Sequence, residues 1–181
     1  MKTYALFLRG INVGGHHKVP MGELRELLEK SGLQEVTTLL NSGNILFQFE
    51  ESNSLDLERR ITSLLETHFG FPIPTILREI HILEDLWSND PFEGIQLTKD
   101  IRFYISFLKN EVEGDLSIPW QSDDASFRIL EKRGGAILSV LDLSIGKTPK
   151  AMEILEKIYK KENITTRNWN TIIKIKNHLT K

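Results

Sequence analysis

Arg9, Asn12, Gly14 and Gly15 fall within seven residues, in the stretch Leu6-Phe7-Leu8-Arg9-Gly10-Ile11-Asn12-Val13-Gly14-Gly15-His16-His17-Lys18-Val19. A guanidinium offers charge-assisted bonds to a carboxylate or phosphate. A carboxamide offers orienting bonds, and glycine permits positive φ or a close backbone approach. The free N–H groups of such a turn suit an anion. The plainer reading is a structural turn between a strand and a helix. The glycine spacing is not that of the dinucleotide fingerprint. Two further polar stretches carry candidate ligand contacts: Ser42 and Asn44 in Asn41-Ser42-Gly43-Asn44, and Arg167 and Asn168 in Thr165-Thr166-Arg167-Asn168-Trp169-Asn170-Thr171.

Other chemistry is less well supported. Gly146-Lys147-Thr148 resembles the end of a phosphate-binding loop, but Leu141 stands where that motif needs glycine. His16 and His17 are metal-ligand types, yet no carboxylate stands at a supporting spacing, so a solvated loop pair is the simpler reading. Ser42 lacks a histidine at a spacing that suggests a triad and reads as a turn residue bonding local backbone. Trp169 reads as a core anchor. No catalytic acid–base pair or nucleophile stands out, and no cofactor or metal is implied.

The elements that must position these residues follow from periodicity. Thr3 to Leu8 is strand-like and apolar on both faces, as a central strand covered on both sides would be. Pro20 opens a helix with a stripe of Met21, Leu24, Leu27 and Leu28, and Gly32 ends it. Val36 to Leu40 and Ile45 to Phe49 are strands joined through the Asn41–Asn44 turn. Ser54 is placed to cap a helix striped by Leu57, Ile61, Leu64 and Leu65, with Gly70 at its end. Ile73 to Leu77 is a fourth strand carrying Pro74. The order β-α-β-β-α-β is that of the ferredoxin-like plait. Its usual sheet order, 4-1-3-2, puts the proline-bearing strand at an edge, where proline is tolerated. It also sends the 9–19 loop and the 41–44 turn to one end of the sheet.

The second half reads as a helix from His81 to Ser88 and an alternating strand from Ile101 to Phe107. Lys109 to Asp124 is ambiguous, with Pro119-Trp120 opposing a regular helix. Strands at Ser126 to Lys132 and Ala136 to Leu141 join through Arg133-Gly134-Gly135. An amphipathic helix spans Lys150 to Lys161, and Ile164 to Thr166 is a short strand. A final helix from Trp169 to Leu179 puts Trp169, Ile172, Ile173 and Leu179 on one side. The expected fold is α+β: two ferredoxin-like (α/β plait) subdomains with antiparallel sheets, residues 1–79 and 80–181, plus a C-terminal helix.

Composition narrows the function classes. The chain has 181 residues, no cysteine and a formal charge of −2. Disulfides, thiolate catalysis and Cys-ligated zinc are excluded, and a reducing compartment is compatible. No signal-peptide pattern and no apolar run of about 20 residues is present, so a cytoplasmic location off the membrane is expected. Charge is uneven: from Lys147 to Lys181 nine basic residues face three acidic ones, leaving −8 on the remainder. That basic segment could meet nucleic acid, or simply be a solvated helical face. An RNA-binding plait would carry aromatics on its open sheet face. Phe47 and Phe49 instead share a face with Ile45, and Asn44, Leu46 and Gln48 form the other.

The motifs Arg9-Gly10-Ile11-Asn12-Val13-Gly14-Gly15, Ser42-Gly43-Asn44 and Thr165 to Thr171, with Lys18-Val19-Pro20-Met21, resemble the bacterial family called domain of unknown function 1697. The resemblance implies two plait subdomains and a small soluble cytoplasmic protein, and it brings no activity. The functional expectation is a binding protein for a small anionic ligand, a nucleotide or other phosphorylated metabolite. The site would be formed by Arg9, Asn12, Gly14, Gly15, Ser42, Asn44, Arg167 and Asn168. The alternatives are an enzyme of unknown reaction in the same cleft and nucleic-acid binding through the basic C-terminal segment. The polar motifs could also be ties between loops and domains.

Overall fold

The computed structural model describes residues 1–50, 53–109 and 116–180. The chain divides into two compact units, Met1–Leu83 and Glu84–Lys181. The division falls inside one helix, a few residues beyond the expected boundary at 79.

The first unit follows β1 (Lys2–Leu8), α1 (Met21–Lys30), β2 (Gln34–Leu39), β3 (Asn44–Phe49), α2 (Ser54–Phe69) and β4 (Thr75–Glu79). Its sheet has the order β2-β3-β1-β4, all antiparallel, which is the plait order. Tyr4, Leu6 and Leu8 of β1 join Ile45, Phe47 and Leu77 beneath Leu24 and Leu28 of α1 and Leu57, Ile61 and Leu65 of α2. Phe49 packs against this same cluster, so the aromatics of β3 belong to the core side. Ala5, Phe7, Leu46 and Ile76, on the other face, are buried as well.

Helix ends account for several boundaries. Ser31 ends α1, and Gly32, at φ 97°, follows it. The Gly32 N–H donates to the Glu29 carbonyl and the Leu33 N–H to that of Leu28, a Schellman closure that also buries Leu33 beside Leu28. Asn53, not Ser54, caps α2: its side-chain oxygen accepts from the Leu55 and Asp56 amides. Both residue types cap well, and periodicity cannot separate neighbours. Pro74 lies one residue before β4, where its carbonyl accepts from the Arg9 N–H.

α2 also covers the edge left by β4. Its Glu58, Thr62 and Glu66 recur every fourth residue on one stripe. The Leu77 N–H donates to Glu58 Oε2 at 2.7 Å, the Thr62 and Thr75 hydroxyls bond each other, and the Ile73 N–H donates to Glu66 Oε1 at 3.3 Å. Glu58 is only 4% exposed. The ladder takes up the Leu77 N–H of an edge strand, where open N–H groups are a template for pairing.

The second unit contains the end of α3 (Ile80–Ser88), then β5 (Ile101–Leu108), β6 (Trp120–Gln121), β7 (Phe127–Arg133), β8 (Ala136–Asp142), α4 (Thr148–Tyr159), β9 (Ile164–Asn168) and α5 (Trp169–Leu179). Its sheet runs β6-β7-β8-β5-β9. Without the two-residue β6, the order is again that of a plait. No helix stands in the first crossover among the described residues. Part of the ambiguous 109–124 stretch, residues 110–115, lies outside them. Gly134 and Gly135, at φ 59° and 70°, turn the β7–β8 hairpin. α4 buries Ala151, Leu155 and Tyr159 against Tyr104, Phe127, Ile137 and Leu141. In α5 the buried residues are Trp169, Ile172 and Ile175, while Leu179 is 40% exposed. The expected stripe drifted because Leu179 sits in the last turn, past the surface that α5 covers.

Candidate functional site

The 9–19 loop and the 41–44 turn meet at one end of the first sheet. The Leu8 N–H donates to the Gly43 carbonyl at 2.8 Å, and Asn12 Nδ2 donates to the Asn41 carbonyl at 2.9 Å. Gly43 sits at φ 76°, and a Cβ there would lie 2.7 Å from the Leu8 Cβ and 2.9 Å from Ile11 Cδ1. Glycine is therefore required by both conformation and space.

Asn12 is the organiser of the loop. Its Nδ2 also donates to the Val19 carbonyl at 3.0 Å, and its Oδ1 accepts from the Val19 N–H at 2.9 Å. Its own N–H donates to the His17 carbonyl at 3.0 Å. The loop is thereby closed as a small hairpin, with Val13 bridged to His16. Gly14 and Gly15, at φ 59° and 79°, form its two-residue turn, the primed type that glycine favours. Helix α1 begins well after this turn, so Gly14-Gly15 are a hairpin tip and not a loop feeding a helix N-terminus.

The tip stands out from the protein. Val13 is 68% exposed, and Gly14 to Lys18 are exposed with it. Among the described residues, the Gly14 and Gly15 amides meet no acceptor. Arg9 is half-buried at the base and Lys18 is exposed where the loop returns. His17, at φ 50°, stacks on Phe71 at 4.6 Å between centroids and 19° between planes, and its Nδ1 lies 3.3 Å from the Gly10 carbonyl. Asn12 and Leu40, at φ 55° and 62°, are two more non-glycine residues in the left-handed region at this end. Residues held this way cluster at functional loops when the surroundings over-determine them.

The remaining expected residues divide by unit. Asn44 is fully buried, and its Nδ2 donates to the Leu39 carbonyl at 2.9 Å and the Ser42 hydroxyl at 3.0 Å, closing the β2–β3 turn. In the second unit Arg167 is 8% exposed and donates from one terminal nitrogen to Thr165 Oγ1 and to the Thr166 carbonyl, both at 3.0 Å. Burial pushes its guanidinium down to about 10, so it stays charged at neutral pH. Asn168 caps α5, its Oδ1 accepting from the Asn170 N–H at 2.9 Å. With Trp169, Arg102 and Phe103 it borders a pocket of about 270 Å³. Trp169 meets Phe92 edge-on at 5.2 Å and is a core aromatic.

Sequence reasoning missed Glu58 and Thr62. Their fourfold spacing beside the apolar stripe was the available signal. Glu58 also lies close enough to Arg78 to oppose the lowering that burial imposes on that guanidinium. Among the described residues, no three His, Asp or Glu side chains gather as a metal site would need, and no helix is long and apolar enough to cross a membrane.

No curated protein matches the chain. A solved structure, that of the conserved bacterial protein SP0830 from Streptococcus pneumoniae, is similar over 100% of this chain and 99% of its own, at 25% identity and a TM-score of 0.76. The family described as protein of unknown function DUF1697 matches residues 1–128, which takes in the 9–15 and 42–44 motifs and leaves 165–171 outside. With more than two thirds of its length matched, the chain belongs to the DUF1697 family.

Proposed function

We propose that the protein binds a small anionic ligand, a nucleotide or another phosphorylated metabolite, at the loop end of its first unit. The observation that supports this is the pinned hairpin. Asn12 fastens both its base and the neighbouring turn, while Gly14, Gly15 and Lys18 stand exposed beyond the anchor. Arg9 supplies charge-assisted bonds and the Gly14 and Gly15 amides supply backbone donors. Asn12, Ser42 and Asn44 shape the site, because the amides of both asparagines already hold backbone. A cytoplasmic setting, where phosphorylated metabolites abound, is compatible with a chain that has no cysteine.

A thermal-shift series with nucleotides, sugar phosphates and short oligonucleotides tests this on wild type, Arg9→Ala and Arg167→Lys. A ligand at 100 times its dissociation constant adds about 2.7 kcal/mol, a rise of several degrees at this size. The expected result is a rise with one phosphorylated class that Arg9→Ala removes. The Arg167→Lys protein reads directly whether the 165–171 segment contributes. A response confined to oligonucleotides, steep in salt and unchanged by Arg9→Ala, would replace this reading with nucleic-acid binding through the basic helices. A flat series would sink it.

A further inference from the structure

We infer that His17 is a stacking platform for a nucleobase, which makes the ligand of the hairpin a nucleotide and not a simple sugar phosphate; this rests on the anion-binding reading above. Several independent features single out the ring. His17 is exposed, yet its backbone is held at φ 50° and its ring is fixed on two sides. Phe71 covers one face at 4.6 Å, nearly parallel, and Nδ1 is 3.3 Å from the Gly10 carbonyl. The ring is the outer end of an aromatic column. Phe71 leans on Phe69 at 6.4 Å, and Phe69 meets His68 edge-on at 4.8 Å. His68 Nε2 lies 2.7 Å from Glu23 Oε1, which ties the column to the first turn of α1. Phe69 and Phe71 both pack against the core.

A solvated loop histidine would keep its rotamer freedom. This one has lost it before any ligand arrives, so a planar partner would meet an ordered surface at little further entropy cost. Aromatic side chains, histidine included, accept bases on their faces without sequence preference. The polar edge adds to this. When the neutral ring donates from Nδ1 to the Gly10 carbonyl, Nε2 is left as an acceptor in the ring plane, able to take a bond from a ribose hydroxyl beside the stacked base. The Gly14-Gly15 turn of the same hairpin offers amides to the phosphate. Base and phosphate contacts thus come from one short loop.

Titration calorimetry on the full chain with AMP, ribose 5-phosphate and adenosine tests this in wild type, His17→Phe and His17→Asn. Phenylalanine keeps a ring to stack on Phe71 while losing the Gly10 contact and straining the backbone, whereas asparagine tolerates the left-handed backbone and removes the ring. Stacking predicts that wild type and His17→Phe bind AMP roughly tenfold to a hundredfold more tightly than ribose 5-phosphate, and that His17→Asn binds both alike. Proton NMR of the wild type gives a second readout independent of variant folding: AMP should move the His17 ring protons upfield and ribose 5-phosphate should not. Equal affinity for AMP and ribose 5-phosphate in wild type, with no ring shift, would overturn the inference and leave anion binding standing. Adenosine binding without any binding of ribose 5-phosphate would sink the anion reading and leave the stack. Binding of none would sink both.

Discussion

Asn12 carries three side-chain hydrogen bonds, all to backbone, and none of them was readable from its position between two glycines. What was legible was the residue type at a turn; what was not was that its partners, Val19 and Asn41, belong to two different segments. Asn12→Ala strands one N–H and two carbonyls, so it should lower stability by about 1–3 kcal/mol, measured by urea unfolding. Two glycines separate conformational strain from crowding. Gly14→Ala, at φ 59° with open space around it, should cost about 1–2 kcal/mol. Gly43→Ala adds a collision with Leu8 and Ile11 and should cost roughly 2–5 kcal/mol in the same measurement. Equal costs at the two positions would contradict the close approach at Gly43.

Secondary structure was the most legible level in the first unit. Alternation, helical stripes and turn residues there are local signals, and the order they imply fixes the plait. Single-residue features were not local. Asn53 and Ser54 are equally good caps by type, and it is Asn53 that stands outside the helix at φ −99° with its side chain on the Leu55 and Asp56 amides. Glu58 reads as a solvated charge on a helix, because its partner, the Leu77 amide, is reached only when α2 lies along β4. Glu58→Gln keeps an acceptor for that amide and should fold nearly as well as wild type. Glu58→Ala leaves it orphaned and should cost about 1–3 kcal/mol, with faster hydrogen exchange at Leu77 than elsewhere in β4. If Glu58→Ala is as stable as wild type, the ladder does not hold the edge. The second unit was less legible because no helical stripe in the sequence announces its first crossover, and β6 is too short to show alternation.

At the scale of the whole chain, three carboxylates of the second unit are held below their ordinary range and contribute to acid tolerance. Ser122 and Ser126 donate to Asp124 Oδ1 and Lys150 to Oδ2, which together hold this carboxyl well below its usual 3.8. The Ser144 hydroxyl and amide lower Asp142 in the same way, and Lys157 lowers Glu153. A lowered acid binds fewer protons in the folded chain than in the unfolded one, so stability rises with pH across that interval. These contributions are complete above the unfolded values near 4 and are lost progressively as pH falls below them. Melting temperature measured from pH 7 to pH 2 should therefore lose this contribution beneath about pH 4. Asp124→Asn should melt lower at pH 7 and show a shallower acid limb; an unchanged limb would mean that Asp124 keeps no depressed value.

The hairpin tied by Asn12 divides its labour along the chain. Asn12 and Val19 hold the base, while Val13, His16 and Lys18 contribute no side-chain bond to it. Anchor and payload can therefore vary independently, as in an antibody loop on its framework. A library randomised at Val13, His16 and Lys18 should consist mostly of folded members, and a library at Asn12 should not. On such a loop the specificity for the proposed ligand would rest on the tip alone, with the fold beneath it left as it is.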